Sequence, residues 1–234
     1  MNRLYYLGSL LLIAASFGLS SLVYMQRNHW LPEQVPVHWG VDFEPDRWVA
    51  RDEIFWTLFL FPCIMLGMMG LIYALLRWLS PKGYDATKAN PQLSGYVILL
   101  MTGLFAALHA VILLGYMNFK LPIEAGIMGV IFLFFILIGN ILGKVQQNFW
   151  IGIRTPWTLT NHKVWEKTHR LAAWLFVGSG LLGLLSLPLL FIAPKPLLLI
   201  CWVSLLLLAG LVPVIYSLVY YKRLEKLGQL GSES

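Results

Sequence analysis

The stretch of sequence at residues 125–143 reads AGIMGVIFLFFILIGNILG and carries no charged side chain. The hydrocarbon core of a bilayer is crossed by a helix of about 20 apolar residues. A backbone in lipid has no water to bond with, so it satisfies its own N–H and C=O groups as a helix. The stretch therefore predicts a transmembrane helix.

Five further stretches have nearly the same character, and together they predict an all-α membrane protein, a six-helix transmembrane bundle. The six predicted spans are residues 4–25, 54–79, 95–117, 125–143, 171–193 and 197–221. Hydrophobic residues make up 59% of the chain and charged residues 12%, and mean hydropathy is +0.72. Because soluble domains carry about 25% charged residues, a soluble enzyme is excluded. The first span exceeds the signal-peptide core of about 7–15 residues, so we expect it to remain uncleaved.

The basic residues predict the orientation of the bundle. Net charge is +6, but the cations lie in short gaps between spans rather than on one soluble face, so no direct nucleic-acid partner is expected. Twelve Lys and Arg residues fall on the side of the N-terminus and five on the other. The positive-inside rule then predicts that both termini are cytoplasmic. Cys63 and Cys201 both lie in apolar spans, so no disulfide framework is expected.

The predicted outer loop, residues 26–53, is rich in proline, tryptophan and carboxylates. Its prolines restrict the backbone to extended or turned conformations. Two interpretations stay open: a cap at the membrane interface, or a surface that binds an extracytoplasmic ligand. A metal at the imidazole and carboxylates of this loop is not expected, because nothing in the sequence fixes their geometry. These four side chains are His38, Asp42, Glu44 and Asp46.

The predicted inner loop, residues 144–170, is the most distinctive part of the chain. Gly152 permits a turn or a close backbone approach. Asn161 is a candidate N-cap for a helix that begins near His162 and continues into the fifth span. Arg154 lies among apolar residues, so we expect a specific partner, either a carboxylate or the ring of Trp157 or Trp165.

The helix beginning near His162 places His162, Glu166 and His169 on one face. That spacing resembles a metal site, but the zinc signature H-E-x-x-H is missing, and a solvated polar face explains the residues equally well. No metal and no cofactor are expected. The chain also has no G-x-S-x-G motif, P-loop or intramembrane aspartate pair, so we expect no enzyme activity.

Two polar residues lie inside predicted spans. His109 could belong to a proton or solute path, because ionisable groups at membrane depth are functional candidates. Asn140 follows Gly139, and this pair is typical of contacts between membrane helices.

Both loops resemble a known family. The inner segments Gly139-Asn140, Lys144, Asn148, residues 151–159 (IGIRTPWTL), Val164-Trp165 and Thr168-His169-Arg170 resemble the signature of the SdpI family. The outer segments 36–39 and 44–48 are similar to a domain of unknown function at the N-terminus of full-length members. Two departures stand out: Phe43 where glycine is frequent, and Gln147 where proline is frequent.

The resemblance implies a six-span protein of the bacterial cytoplasmic membrane that protects its producer against a membrane-active toxin peptide. It also implies that a soluble repressor is sequestered at the cytoplasmic face. The signature residues expected to function are Asn140, Asn148, Gly152, Arg154, Thr155, Pro156, Trp157, Trp165 and His169. The outer residues expected to meet a hydrophobic peptide at the bilayer surface are Pro36, His38, Trp39, Asp46 and Trp48.

The expected organisation is a two-helix unit (1–79) with the outer loop, a four-helix unit (95–221) with the inner loop, and a cytoplasmic tail (222–234). The principal alternative function is a small-solute or proton-coupled transporter using His109. A membrane enzyme using His162, Glu166 and His169 is a third.

Overall fold

The computed structural model describes residues 2–78, 91–117 and 122–230. Within these residues six helices are long and apolar enough to cross a membrane, which confirms the predicted bundle. The helices are α1 (Asn2–Met25), α2 (Arg27–Trp30), α3 (Phe55–Arg77), α4 (Pro91–Tyr116), α5 (Ile123–Leu142), α6 (Pro156–Thr160), α7 (His162–Ser186) and α8 (Lys195–Lys226). Helices α2 and α6 are too short to cross. Helix α8 continues into the predicted tail, and Lys82, Lys88 and Lys120, counted for orientation, lie outside the described residues.

The chain forms two compact units. The first is Met1–Ile131 with Pro194–Pro196, and the second is Phe132–Ala193 with Leu197–Ser234. In the first unit α1, α3 and α4 pack together. In the second, α5 approaches α7 closely, since a Cβ on Gly139 would come 2.8 Å from the Phe176 side chain.

The outer loop folds into a β-hairpin, which the sequence did not predict. Strand β1 (Gln34–Trp39) pairs antiparallel with β2 (Pro45–Ala50). Prolines usually argue against strands, but both strands of a two-stranded sheet are edges, where a missing N–H is tolerated. Apolar residues of β1, including the fully buried Val35, pack onto a cluster formed by the ends of α1, α3 and α4.

The hairpin turn shows why glycine is frequent at the position that Phe43 occupies. The Gly40 N–H donates to the Glu44 carbonyl (2.9 Å) and the Phe43 N–H to the Gly40 carbonyl (3.0 Å). The three residues between Gly40 and Glu44 form the tip of the hairpin, with Phe43 at φ +60°. Hairpins of this kind usually have glycine at that left-handed position, because a side chain is strained there.

A polar contact inside the first unit follows from Pro62 in α3. Proline has no N–H, so the carbonyl four residues earlier, at Leu58, lacks its helical donor. The Ser20 hydroxyl donates to that carbonyl (2.6 Å), and its oxygen lies 3.2 Å from Nε2 of His109. Because the single Ser20 proton is used, His109 donates from Nε2. Its Nδ1 is buried with no hydrogen-bond partner among the described residues.

Candidate functional site

The inner signature loop is held together by a network of hydrogen bonds around the short helix α6. Thr155 is its N-cap: the Thr158 N–H donates to Oγ1 of Thr155 (3.2 Å), and the Thr155 N–H donates to Oγ1 of Thr158 (2.9 Å). Pro156 occupies the first turn, where a missing N–H costs nothing. Oγ1 of Thr155 also lies 3.0 Å from Oγ of Ser217 in α8. The predicted residues Thr155 and Pro156 therefore build the loop from within.

Gly152 joins the loop to α7. Its φ is +120°, and a Cβ at this position would collide with Nε2 of His169 and lie 3.1 Å from the Trp165 ring. The Ile153 N–H donates to Nε2 of His169 (2.9 Å), and Nδ1 of His169 lies 2.8 Å from the Trp165 carbonyl. Since a carbonyl only accepts, His169 carries its proton on Nδ1. The predicted close approach at Gly152 is confirmed.

Trp165 and His169 share a face of α7, as predicted, and their rings stack with centroids 4.0 Å apart. The Trp165 indole donates to the Val145 carbonyl (2.7 Å), and both side chains are buried. The predicted cap at Asn161 is confirmed too, because its side chain accepts from the Val164 N–H (3.1 Å).

The start of the loop is held by two amide side chains. Oδ1 of Asn148 accepts from the N–H groups of Trp150 (2.8 Å) and Ile151 (2.6 Å). Gln147 donates to the carbonyls of Thr158 (2.7 Å) and Leu159 (2.8 Å) at the end of α6. A proline at 147 could make neither bond, so this departure from the family pattern adds a clamp on α6.

Arg154 is exposed, and its partners differ from the predicted ones. It donates to the Phe149 carbonyl (2.6 Å) and lies 5.9 Å from the ring centre of Trp150, not over Trp157 or Trp165. The bonds of Asn148 turn the chain so that residue 149 faces Arg154, whereas Trp165 is buried against His169. The guanidinium is thus oriented by the backbone while its remaining donors face outward.

The remaining candidate residues of the inner side are not part of this hydrogen-bond network. Asn140 is exposed on α5, where Gly139 makes the close helix contact, and Trp157 is half-buried. His162 and Glu166 are exposed and 4.0 Å apart, whereas both ring nitrogens of His169 are occupied. Within the described ranges no group of three or more His, Cys, Asp or Glu side chains is arranged to hold a metal.

The outer hairpin sorts its predicted residues into two groups. Trp39 stacks on Tyr116 of α4, with rings 10° from parallel and centroids 6.4 Å apart, and Pro36 is half-buried. His38 and Asp46 form an exposed cross-strand pair, with Nδ1 and Oδ1 2.6 Å apart, and Trp48 is 50% exposed. Trp39 anchors the hairpin, while His38, Asp46 and Trp48 form its exposed surface.

Sequence reasoning missed an ion cluster beside this hairpin. Nζ of Lys195 lies 3.1 Å from Glu124 of α5 and 3.6 Å from Glu44 in the hairpin turn. Only one clue was present: Glu124 directly precedes the uncharged predicted span 125–143, and a carboxylate buried at that position needs a partner. Ser217 and Thr158 were missed as well, although Thr155 and Thr158 have the spacing of a reciprocal cap.

Comparison with known proteins covers both loops. Residues 144–221 match the SdpI/YfhL protein family, and residues 11–66 match a domain of unknown function, DUF1648. The protein named Immunity protein SdpI from Bacillus subtilis (strain 168) is 31% identical over 219 residues, covering 93% of this chain and 96% of that protein. No solved structure matches. The chain is a multi-pass membrane protein, and this full-length similarity shows that it belongs to the SdpI family.

Proposed function

We propose that this protein resides in the bacterial cytoplasmic membrane and protects it against a membrane-active peptide. The observation that carries the proposal is the similarity to an immunity protein over nearly the whole of both chains. The alignment length takes in the outer hairpin as well as the inner signature loop. Both candidate sites for a shared protective role, the outer hairpin and the inner signature loop, are therefore present in this chain.

The outer hairpin is the proposed site of peptide contact. Trp48 supplies a rigid apolar surface and the His38–Asp46 pair supplies polar groups beside it. A tryptophan loses little conformational entropy on binding, which suits a contact at the bilayer boundary. Trp39 acts indirectly, since it holds the hairpin against α4, and Pro36 is half-buried in β1.

The inner signature loop is the proposed reporter of that contact. The peptide would shift the bundle between two packings, by no more than its difference in affinity for them. Arg154 is exposed and oriented by the Phe149 carbonyl, so it can meet an acidic group on a soluble partner. Sequestration of a repressor at the cytoplasmic face is the form of signalling that the family resemblance implies.

The test measures membrane potential in peptide-sensitive bacteria that express this protein and are challenged with a sporulation-delaying-type peptide. Cells with the intact protein should keep their potential. Trp48→Ala should require at least about tenfold less peptide for depolarisation, because truncating a binding tryptophan commonly costs about 2 kcal/mol or more. Trp174→Ala is the matched control, since Trp174 is 75% exposed on α7, outside both loops.

Arg154→Ala is measured in the same cells at equal membrane abundance. Loss of protection would place Arg154 in the mechanism, and unchanged protection would remove it. If cells with the intact protein depolarise like empty cells, immunity to that peptide is wrong for this chain.

A second candidate function, proton-coupled or small-solute transport, is favoured by one observation. Nδ1 of His109 is a buried acceptor with no partner among the described residues, and such groups at membrane depth occur on proton paths. His109→Phe in the challenge assay separates the two functions. Protection that survives this substitution, together with loss of a measured proton flux in vesicles, would support transport.

A further inference from the structure

Helix α8 reaches both candidate sites at polar residues. Its first residue, Lys195, pairs with Glu44 of the outer hairpin, and Ser217, near its other end, contacts Thr155 of the signature loop. We propose that α8 mechanically connects the hairpin to the signature loop, with Lys195 and Ser217 as positioning residues. This inference rests on the proposed function, in which the hairpin receives a signal and the loop reports it.

At the outer end, the two partners of Lys195 differ in burial. The Glu124 carboxylate is 8% exposed and 3.1 Å from Nζ, whereas the Glu44 carboxylate is 70% exposed and 3.6 Å away. Removing one member of a buried ion pair is costly, so Glu124 holds Lys195 in place. An exposed pair contributes little and is readily exchanged, so Glu44 is the member that a bound ligand can release.

The dipole of α8 makes Lys195 depend on these carboxylates. The N-terminus of a helix carries partial positive charge, and a cation there is unfavourable. Lys195 nevertheless begins α8, between Pro194 and Pro196, and it lies within the first compact unit. A change at Glu44 therefore acts on the first turn of α8 rather than on a side chain far from the backbone.

At the inner end, Ser217 acts on the cap of α6. The Ser217 hydroxyl donates to the Val214 carbonyl (2.6 Å), and its oxygen lies 3.0 Å from the Thr155 hydroxyl, which has Oγ1 of Thr158 as a second acceptor (3.3 Å). Ser217 is fully buried and Thr155 is 7% exposed. A displacement of α8 would thus weaken the Thr155 cap and, through it, the order of the loop.

The helix between these ends is continuous. The 22 residue-to-residue steps from Lys195 to Ser217 extend about 33 Å at 1.5 Å per step. Pro213 lies inside this helix, four residues before Ser217, and removes one backbone hydrogen bond there. Helix α8 is therefore stiff along most of its length and bends most easily next to the signature loop.

The test is hydrogen–deuterium exchange of the full-length protein in lipid nanodiscs, read on peptides covering residues 149–160, without any toxin. Glu44→Gln should raise exchange of this segment about twofold to fivefold. This is the change in the population of its open form that corresponds to the loss of one exposed ion pair. Glu33→Gln is the matched control and should change nothing, since Glu33 is an exposed carboxylate of the same segment outside the Lys195 cluster.

Ser217→Ala should raise exchange of the same segment. The double variant Glu44→Gln/Ser217→Ala should exchange like Ser217→Ala alone, because the contact between α8 and the signature loop is already lost. A Glu44→Gln effect confined to the hairpin would overturn the proposal. Additive effects in the double variant would overturn it equally. Because no peptide is used, this outcome is independent of the immunity test.

Discussion

Gly152 is the residue on which the packing of the signature loop depends. Its φ of +120° is strained for any side chain, and a Cβ would displace the His169 ring that accepts the Ile153 N–H. A buried donor left without its acceptor costs about 1–3 kcal/mol. Gly152→Ala should therefore lower the free energy of unfolding by at least about 2 kcal/mol, with backbone strain included.

Thermal unfolding in detergent, followed by the fluorescence of the ten tryptophans, measures this loss. Gly178→Ala is the control, because Gly178 lies in α7 and a Cβ added there would meet no neighbouring side chain within 4 Å. Alanine is the better helix former by about 1 kcal/mol, so this control should be neutral or stabilising. Equal losses in the two variants would contradict the role assigned to Gly152.

Sequence reasoning worked at residues whose backbone chemistry is local and failed where a partner had to be chosen. Asn161 and Gly152 followed from capping and from glycine geometry. The partner of Arg154 could not be chosen from residue types, because the Asn148 hydrogen bonds turn the chain and present a backbone carbonyl. Thr155, Trp165 and His169 are buried and Asn148 bonds the backbone of the loop, so part of the specificity of the motif reflects how the loop is built.

At the scale of elements, Pro62 and Ser20 form a matched pair between α3 and α1. Ser20→Ala would remove the hydroxyl that bonds both the Leu58 carbonyl and Nε2 of His109, at a cost of about 1–3 kcal/mol. In a Pro62→Ala background the helix regains the N–H for Leu58, so the same change should cost about 1 kcal/mol less. A double-mutant cycle on unfolding free energies measures this coupling.

Ser9→Ala is the control for that cycle. Ser9 is as buried as Ser20, but its hydroxyl bonds to the Tyr5 carbonyl of its own helix, which keeps its backbone donor. Its loss should be small and independent of Pro62. Zero coupling between Ser20 and Pro62 would contradict the pairing.

The elements themselves were predictable where hydrophobic length alone determines them. Predicted spans 54–79 and 125–143 correspond to α3 (Phe55–Arg77) and α5 (Ile123–Leu142). The hairpin was not predictable, because its strands contain prolines and gain their stability from packing on helix ends. That packing joins residues far apart in sequence, such as Trp39 and Tyr116.

At the scale of the whole molecule, the two family matches leave residues 67–143 uncovered, and this interval contains α4. Helix α4 packs along α1 and α3, and it supplies both His109 and the Tyr116 surface under the hairpin. The two matched regions alone would therefore miss the helix that completes the first unit. The division predicted from sequence, at residues 79 and 95, stays a prediction.

The orientation of the bundle can be tested, because two positions separated by an odd number of spanning helices lie on opposite sides of the membrane. Five spanning helices separate the hairpin turn from the end of α8, so Val41 and Leu227 should lie on opposite sides of the membrane. The excess of basic residues on the side of the termini predicts that Val41 lies outside. Both side chains are exposed, at 68% and 58%, so a cysteine at either position would be accessible.

With Cys63 and Cys201 replaced by alanine, Val41→Cys should react with a membrane-impermeant maleimide in intact cells. Leu227→Cys should react only after lysis. The reverse pattern would mean that the positive-inside rule misorients this chain, and the outer and inner roles proposed for the two loops would exchange. Labelling of both positions in intact cells would instead contradict the count of spans. Only the expected pattern puts the hairpin where an external peptide can reach it and leaves Arg154 facing the cytoplasm.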